Sequence, residues 1–181
     1  MILPIYTYGN AVLRKQAEEI GTDYPELKKL INDMFETMYH ADGVGLAAPQ
    51  IGLPIRLLVI DLAPLKDEDP KLGSFKTVMI NPVMLEMSEE AVEGSEGCLS
   101  IPGISENVYR AEWIKIQYYD ADFKQHTEEF EDYIARVIQH EYDHLEGSLF
   151  TDHVNPLRRQ MIKSKLNNIA KGKAKCDYKI K

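Results

Sequence analysis

Residues 133–145 read Tyr133-Ile134-Ala135-Arg136-Val137-Ile138-Gln139-His140-Glu141-Tyr142-Asp143-His144-Leu145, and the two histidines in this run decide how the chain must be arranged. Ile134, Val137, Ile138, Glu141, His144 and Leu145 recur at threes and fours, the period of a helix with one buried face, and Gly147 supplies a stop just beyond. Residues four apart on a helix lie one turn above each other, so His140 and His144 project from a single face. Two imidazoles so placed can hold one divalent metal ion, with Glu141 beside it as a proton carrier.

A helix with two ligands needs a third from elsewhere. The continuation Leu145-Glu146-Gly147-Ser148-Leu149-Phe150 follows a longer metalloprotease pattern as far as the glycine, but Phe150 stands where a third histidine is required. No glutamate follows Glu146, which excludes a downstream ligand of the thermolysin kind. Cys98, Asp152, His153, His40 and His126 remain as candidates. Asp152 and His153 lie just past the helix stop, and His40 and His126 occupy ordinary exposed places. Cys98 lies in Glu93-Gly94-Ser95-Glu96-Gly97-Cys98-Leu99-Ser100-Ile101-Pro102-Gly103, which reads as a loop laid against another surface. A thiolate and two neutral imidazoles leave a divalent ion at net +1 with an open fourth position, the arrangement of a catalytic site.

Outward from these segments the chain is ordinary and globular. Asp23-Tyr24-Pro25-Glu26 suits the first turn of a helix whose apolar stripe is Leu27, Leu30, Ile31, Met34 and Met38, ending near Asp42-Gly43. In Gly43-Val44-Gly45-Leu46-Ala47-Ala48-Pro49-Gln50-Ile51-Gly52, glycine alternates with small apolar residues, so the backbone can approach a neighbour closely. Gln50, at its end, is a neutral amide able to donate to a carbonyl oxygen. Strands are expected at Ile55–Ile60, Thr77–Ile80 and Val83–Met87, with a polar surface excursion over Asp61–Lys76. Trp113–Tyr119 and Thr127–Phe130 form a hairpin, and Asn155-Pro156 opens a last helix marked by Leu157, Met161, Ile162, Leu166 and Ile169.

Composition narrows the class. The 181 residues suit one domain, and 44% apolar with 28% charged residues is typical of a soluble globule. No apolar run approaches the ~20 residues that cross a bilayer. Met1–Tyr6 has no cationic start, and two cysteines make no disulfide framework, so a cytoplasmic location is expected. The net charge of −8 includes a local +4 after Ala170 (five lysines against Asp177), leaving −12 on the body. An acidic body argues against a nucleic-acid coat, while the basic end can touch a phosphate surface or fray in solvent.

Gly43–Gln50, Glu96-Gly97-Cys98-Leu99-Ser100 and Gln139-His140-Glu141-Tyr142-Asp143-His144 together resemble, in order and spacing, the three signature motifs of the peptide deformylase family. The resemblance runs from about Met1 to Phe150. The Asp61–Lys76 excursion looks longer than in compact members, and the lysine-rich end belongs to no motif. By this resemblance, Cys98, His140 and His144 bind one divalent metal ion, with Fe2+ native and Zn2+, Ni2+ or Co2+ as substitutes. Glu141 is the general acid/base, and Gln50 with the Leu99 backbone N–H forms the oxyanion site. Val44, Gly45, Glu96, Gly97 and Val137 lie along the substrate site. The reaction implied is hydrolysis of the formyl group from N-formylmethionyl peptides on nascent chains, releasing formate. The enzyme would be a cytoplasmic monomer in transient contact with the ribosome, without membrane association or specific nucleic-acid recognition. The expected architecture is α+β: a single compact domain over 1–169, with short, mostly antiparallel strands packed around a central metal-binding helix and a C-terminal helix. A flexible lysine-rich tail over 170–181 completes it.

Overall fold

Leu57–Asp61 is a run of five residues with no polar alternation, which suits a strand covered on both faces. The computed structural model, which describes residues 1–181, places it inside a five-stranded sheet. In chain order the strands are β1 (Gly45–Ala47), β2 (Leu57–Asp61), β3 (Lys76–Met87), β4 (Ala91–Cys98), β5 (Ile101–Ala111), β6 (Trp113–Tyr119) and β7 (Gln125–Glu131). The sheet order is β1-β2-β3-β6-β7, β4 and β5 form a separate hairpin, and every strand pair is antiparallel. The helices are α1 (Leu27–His40), α2 (Asp132–Leu145) and α3 (Pro156–Ala170).

Alternation along β2 explains the layering. Leu58 and Ile60 join Met79, Ile114 and Ile116 under Ala135, Ile138 and Leu145 of α2. Leu57 and Val59 join Leu46 and Ile80 on the opposite face, against Ile31, Met34, Phe35 and Met38 of α1. The sheet is thus pressed between α1 and α2, and the histidine-bearing helix is central, as the sequence implies. A third cluster packs Ile101, Ile104 and Val108 of the hairpin on Phe150 and on Ile162, Leu166 and Ile169 of α3.

Three local readings differ from expectation. Helix α1 starts at Leu27 because Glu26 adopts a left-handed φ of 54°, which leaves Asp23 and Glu26 unable to form a capping box. The stretch expected as a loop over Glu93–Gly103 is the β4–β5 hairpin with a two-residue turn at Leu99–Ser100. Gly94 is needed inside β4 because a Cβ there would lie 2.7 Å from the Arg136 guanidinium carbon. Helix α3 is capped by the Asn155 side chain, which accepts from the Leu157 N–H at 2.8 Å. Its buried ridge is Ile162, Leu166 and Ile169, while Leu157 and Met161 stand in solvent because only that ridge meets the hairpin.

The chain end, expected as a flexible tail over 170–181, is seated instead. Ile180 forms a parallel bridge with Ile5, and the Thr7 N–H donates to the Lys181 carbonyl at 3.1 Å. Backbone pairing with residues 5–7 supplies the order that a run of lysines alone does not suggest. The Asp61–Lys76 excursion is likewise anchored, by Leu62 and Leu72 buried beside α2.

Candidate active site

The α2 backbone turns sharply out of β7, with Asp132 at φ 56° making the corner, and runs beneath the sheet. This puts His140 and His144 on one face with ring centroids 5.3 Å apart. The hairpin brings Cys98 to the same point, with its Sγ 3.3 Å from His144 Nε2. Ligand atoms of Cys98, His140 and His144 all lie within 4.8 Å of one another. The other histidine and carboxylate candidates are elsewhere: His126 pairs with Asp120 at 2.8 Å, His153 with Asp143 at 2.9 Å, Asp152 with Arg14 at 2.6 Å, and His40 is exposed.

A carboxylate orients the first imidazole. His140 Nδ1 meets Glu96 Oε1 at 2.8 Å. Burial pushes the Glu96 carboxyl up, but hydrogen bonds from Arg110 and His140 outweigh it and hold the group at about 2. An ionised carboxylate can only accept, so His140 Nδ1 carries a proton and its Nε2 faces the cluster, the orientation that carboxylate partners impose on metal-binding imidazoles. Burial works against charge on His140, yet contacts with Cys98 and Glu96 raise its pKa well above the usual value. Burial, then the charge on His140, push His144 down to about 3, leaving a neutral imidazole. The donor set of one sulfur and two nitrogens matches that of a catalytic metal site.

Glu96 is held in turn. Arg110 grips both oxygens at 2.9 Å, and Arg136 reaches Oε2 at 2.7 Å. Arg110 also bonds Asp143 at 2.5 Å. Arg110 and Arg136 were not singled out by the sequence. The signal for Arg136 is its place one turn before His140 on the same helix face; that for Arg110 is its inward position in the alternation of β5.

Glu141 faces the cleft with one carboxyl oxygen, Oε2, buried and without a hydrogen-bond partner. Burial pushes this carboxyl up to about 7, the range in which a group can both take and return a proton. A Cβ on Gly45 would stand 2.5 Å from Glu141 Oε1, and one on Gly43 would meet Leu99 Cδ1 at 2.7 Å, so both glycines are there for close approach. Gln50 is almost fully buried; its Oε1 accepts from the Ala47 N–H at 2.9 Å. That contact directs the Gln50 NH2 toward Ser100 Oγ, at 3.1 Å, and Cys98 Sγ, at 3.5 Å. The Leu99 N–H donates to no acceptor in the protein.

These groups open into a cavity of about 500 Å³. Val44, Gly45, Glu96, Gly97 and Val137 all line it, although both Glu96 carboxylate oxygens are already engaged by Arg110, Arg136 and His140. Strand β1 is the edge of the sheet, so its unpaired side can add an extended peptide backbone. No helix is long and apolar enough to cross a membrane.

A family model described as polypeptide deformylase matches residues 2–160. A peptide deformylase of Flavobacterium psychrophilum is 54% identical over 188 aligned positions, covering 100% of this chain and 97% of that protein. One of Cytophaga hutchinsonii is 47% identical, covering 100% of this chain and 97% of that one. The crystal structure of peptide deformylase from Thermus thermophilus superposes with a TM-score of 0.84 at 42% identity, covering 95% of this chain and 99% of that chain.

Proposed function

This chain belongs to the polypeptide deformylase family, and from that premise we propose that Cys98, His140 and His144 hold its metal ion while Glu141 carries the proton. The protein is a metal-dependent hydrolase that removes the formyl group from N-formylmethionine, releasing formate. The observation that carries the residue assignment is the meeting of one sulfur and two imidazole nitrogens beside a buried, unpartnered carboxylate.

A divalent ion held there supplies Lewis acidity, which brings the pKa of water near neutrality and polarises a carbonyl. Glu141 takes the proton of the attacking water and returns it to the leaving amine. The Gln50 amide, already fixed by Ala47, and the free Leu99 N–H donate to the formyl oxygen as it gains charge. Val44 and Val137 present apolar surface to the methionine side chain, and the edges of β1 and β4 pin the peptide backbone. Glu96 acts on the substrate only through His140.

Ferrous iron is the native ion in this reading, with zinc, nickel or cobalt as substitutes. The support for iron is the family resemblance alone; the thiolate donates more charge than a third imidazole, weakens the ion as a Lewis acid and leaves the rate sensitive to which ion is bound. Residues 1–169 carry all the motif residues of one catalytic unit. The enzyme works as a cytoplasmic monomer that touches the ribosome transiently. The ribosome contact is supported by the stretch 156–175, which has seven lysines and arginines and no acidic residue.

Anaerobic purification with metal analysis, followed by formate release from formyl-Met-Ala-Ser, tests the assignment. Glu141→Gln is expected to keep one metal per chain and lose turnover by at least ~10²-fold, the usual contribution of a positioned general base. Normal turnover in that variant, or full metal content in Cys98→Ser after dialysis, overturns it.

A further inference from the structure

The chain ends Lys175-Cys176-Asp177-Tyr178-Lys179-Ile180-Lys181, and the structure uses this alternation as a strand would. The Ile5 N–H donates to the Lys179 carbonyl at 2.9 Å, and the Lys181 N–H donates to the Ile5 carbonyl at 2.8 Å. The segment is therefore stitched to the N-terminal residues. Just before these bonds, Tyr178 turns toward the cleft and its hydroxyl donates to the Leu99 carbonyl at 2.7 Å. Burial, then the neighbouring Cys176 and Cys98, raise the Tyr178 pKa well above that of free tyrosine, so the phenol keeps its proton.

Leu99 and Ser100 are the whole turn of the β4–β5 hairpin, directly after Cys98. Their carbonyls are held from outside the hairpin, Leu99 by Tyr178 and Ser100 by the Tyr8 N–H at 2.8 Å. The Leu99 N–H has no partner in the protein. The two peptide planes flanking Leu99 share its Cα, so a rock of the held plane swings the free N–H.

We propose that Tyr178 is a positioning residue for deformylation, which aims the Leu99 N–H into the cleft by holding the Leu99 carbonyl. The inference rests on the reading above, in which that N–H donates to the formyl oxygen. Nothing in the three motifs contains Tyr178; the last helix separates it from them in sequence. Tyr178 lines the same cavity, but its hydroxyl is engaged by the Leu99 carbonyl and so acts through the turn.

Tyr178→Phe removes one hydroxyl and keeps the ring. Turnover, KM, metal content and Tm are measured with formyl-Met-Ala-Ser for the parent, Tyr178→Phe and Gln50→Ala. Displacements of about 1 Å can cost up to ~10²-fold, so for Tyr178→Phe we expect kcat per bound metal to fall roughly tenfold with KM changed less than about twofold. If kcat per bound metal stays within about twofold of the parent, the inference is overturned, even if metal content and Tm fall, because that is the signature of a purely structural tie. Gln50→Ala separates the two layers. Loss of ~10²-fold there with none in Tyr178→Phe removes only the tyrosine's role, whereas no loss in either removes the oxyanion reading itself.

Discussion

Strand β2 and the inward face of the β4–β5 hairpin both pack against helices, yet they are built on opposite principles. Leu57, Leu58, Val59 and Ile60 are fully buried, and each can be exchanged for an apolar residue of similar volume at modest cost. The inward positions of the hairpin include Glu96, Glu106 and Arg110, which pair with Arg136 of α2, Arg158 of α3 and Asp143 of α2 respectively. A buried charge has few acceptable neighbours, so such pairs fix geometry more than they add stability. The sheet supplies general cohesion; the hairpin determines where Cys98 and the His140 ring stand.

The sharpest way to break this contrast is Glu96→Ala. It leaves Arg110 and Arg136 without their shared carboxylate, and unpairing a buried ion typically costs ~3–5 kcal/mol. Metal affinity is expected to fall ~10–100-fold as well, since His140 loses the partner that orients it. Urea unfolding and competitive chelation measure the two effects, and a stable variant with parental metal affinity would erase the distinction. Next comes Leu58→Ala, with an expected loss of ~2–5 kcal/mol from transfer and cavity terms. Its kcat per bound metal should equal that of the parent; a drop would mean that the sheet also tunes the site. The smallest effect is expected for Gly94→Ala, where a Cβ would press on Arg136 and overpacking costs ~1–3 kcal/mol. Thermal unfolding reads it, and no change would show that Arg136 gives way freely.

The same contrast governs what the sequence made legible. β2 announces itself as an unbroken apolar run, and α2 by its period and paired histidines. The hairpin hid because β4 carries two glycines and β5 turns charges inward, so neither alternates apolar with polar in the usual sense. The cluster of Cys98, His140 and His144 was legible through three spaced motifs, but the arginines behind Glu96 sit outside all of them. Leu157 and Met161 fit a helical stripe and still face solvent, because periodicity says which face is apolar and not how far the opposing surface extends. At the chain end, five lysines masked the period-two series Cys176, Tyr178 and Ile180, which was the available sign of a docked strand.

Glu96, Asp143, Arg110 and Arg136 form a nearly self-neutralising quartet just behind the two imidazoles. The cradle therefore keeps its shape on internal credit and requires no incoming ion to hold it open. On chelation the hairpin is therefore expected to stay folded, which near-ultraviolet circular dichroism of the stripped protein checks. A protein wired this way is expected to exchange one transition metal for another without passing through an unfolded chain.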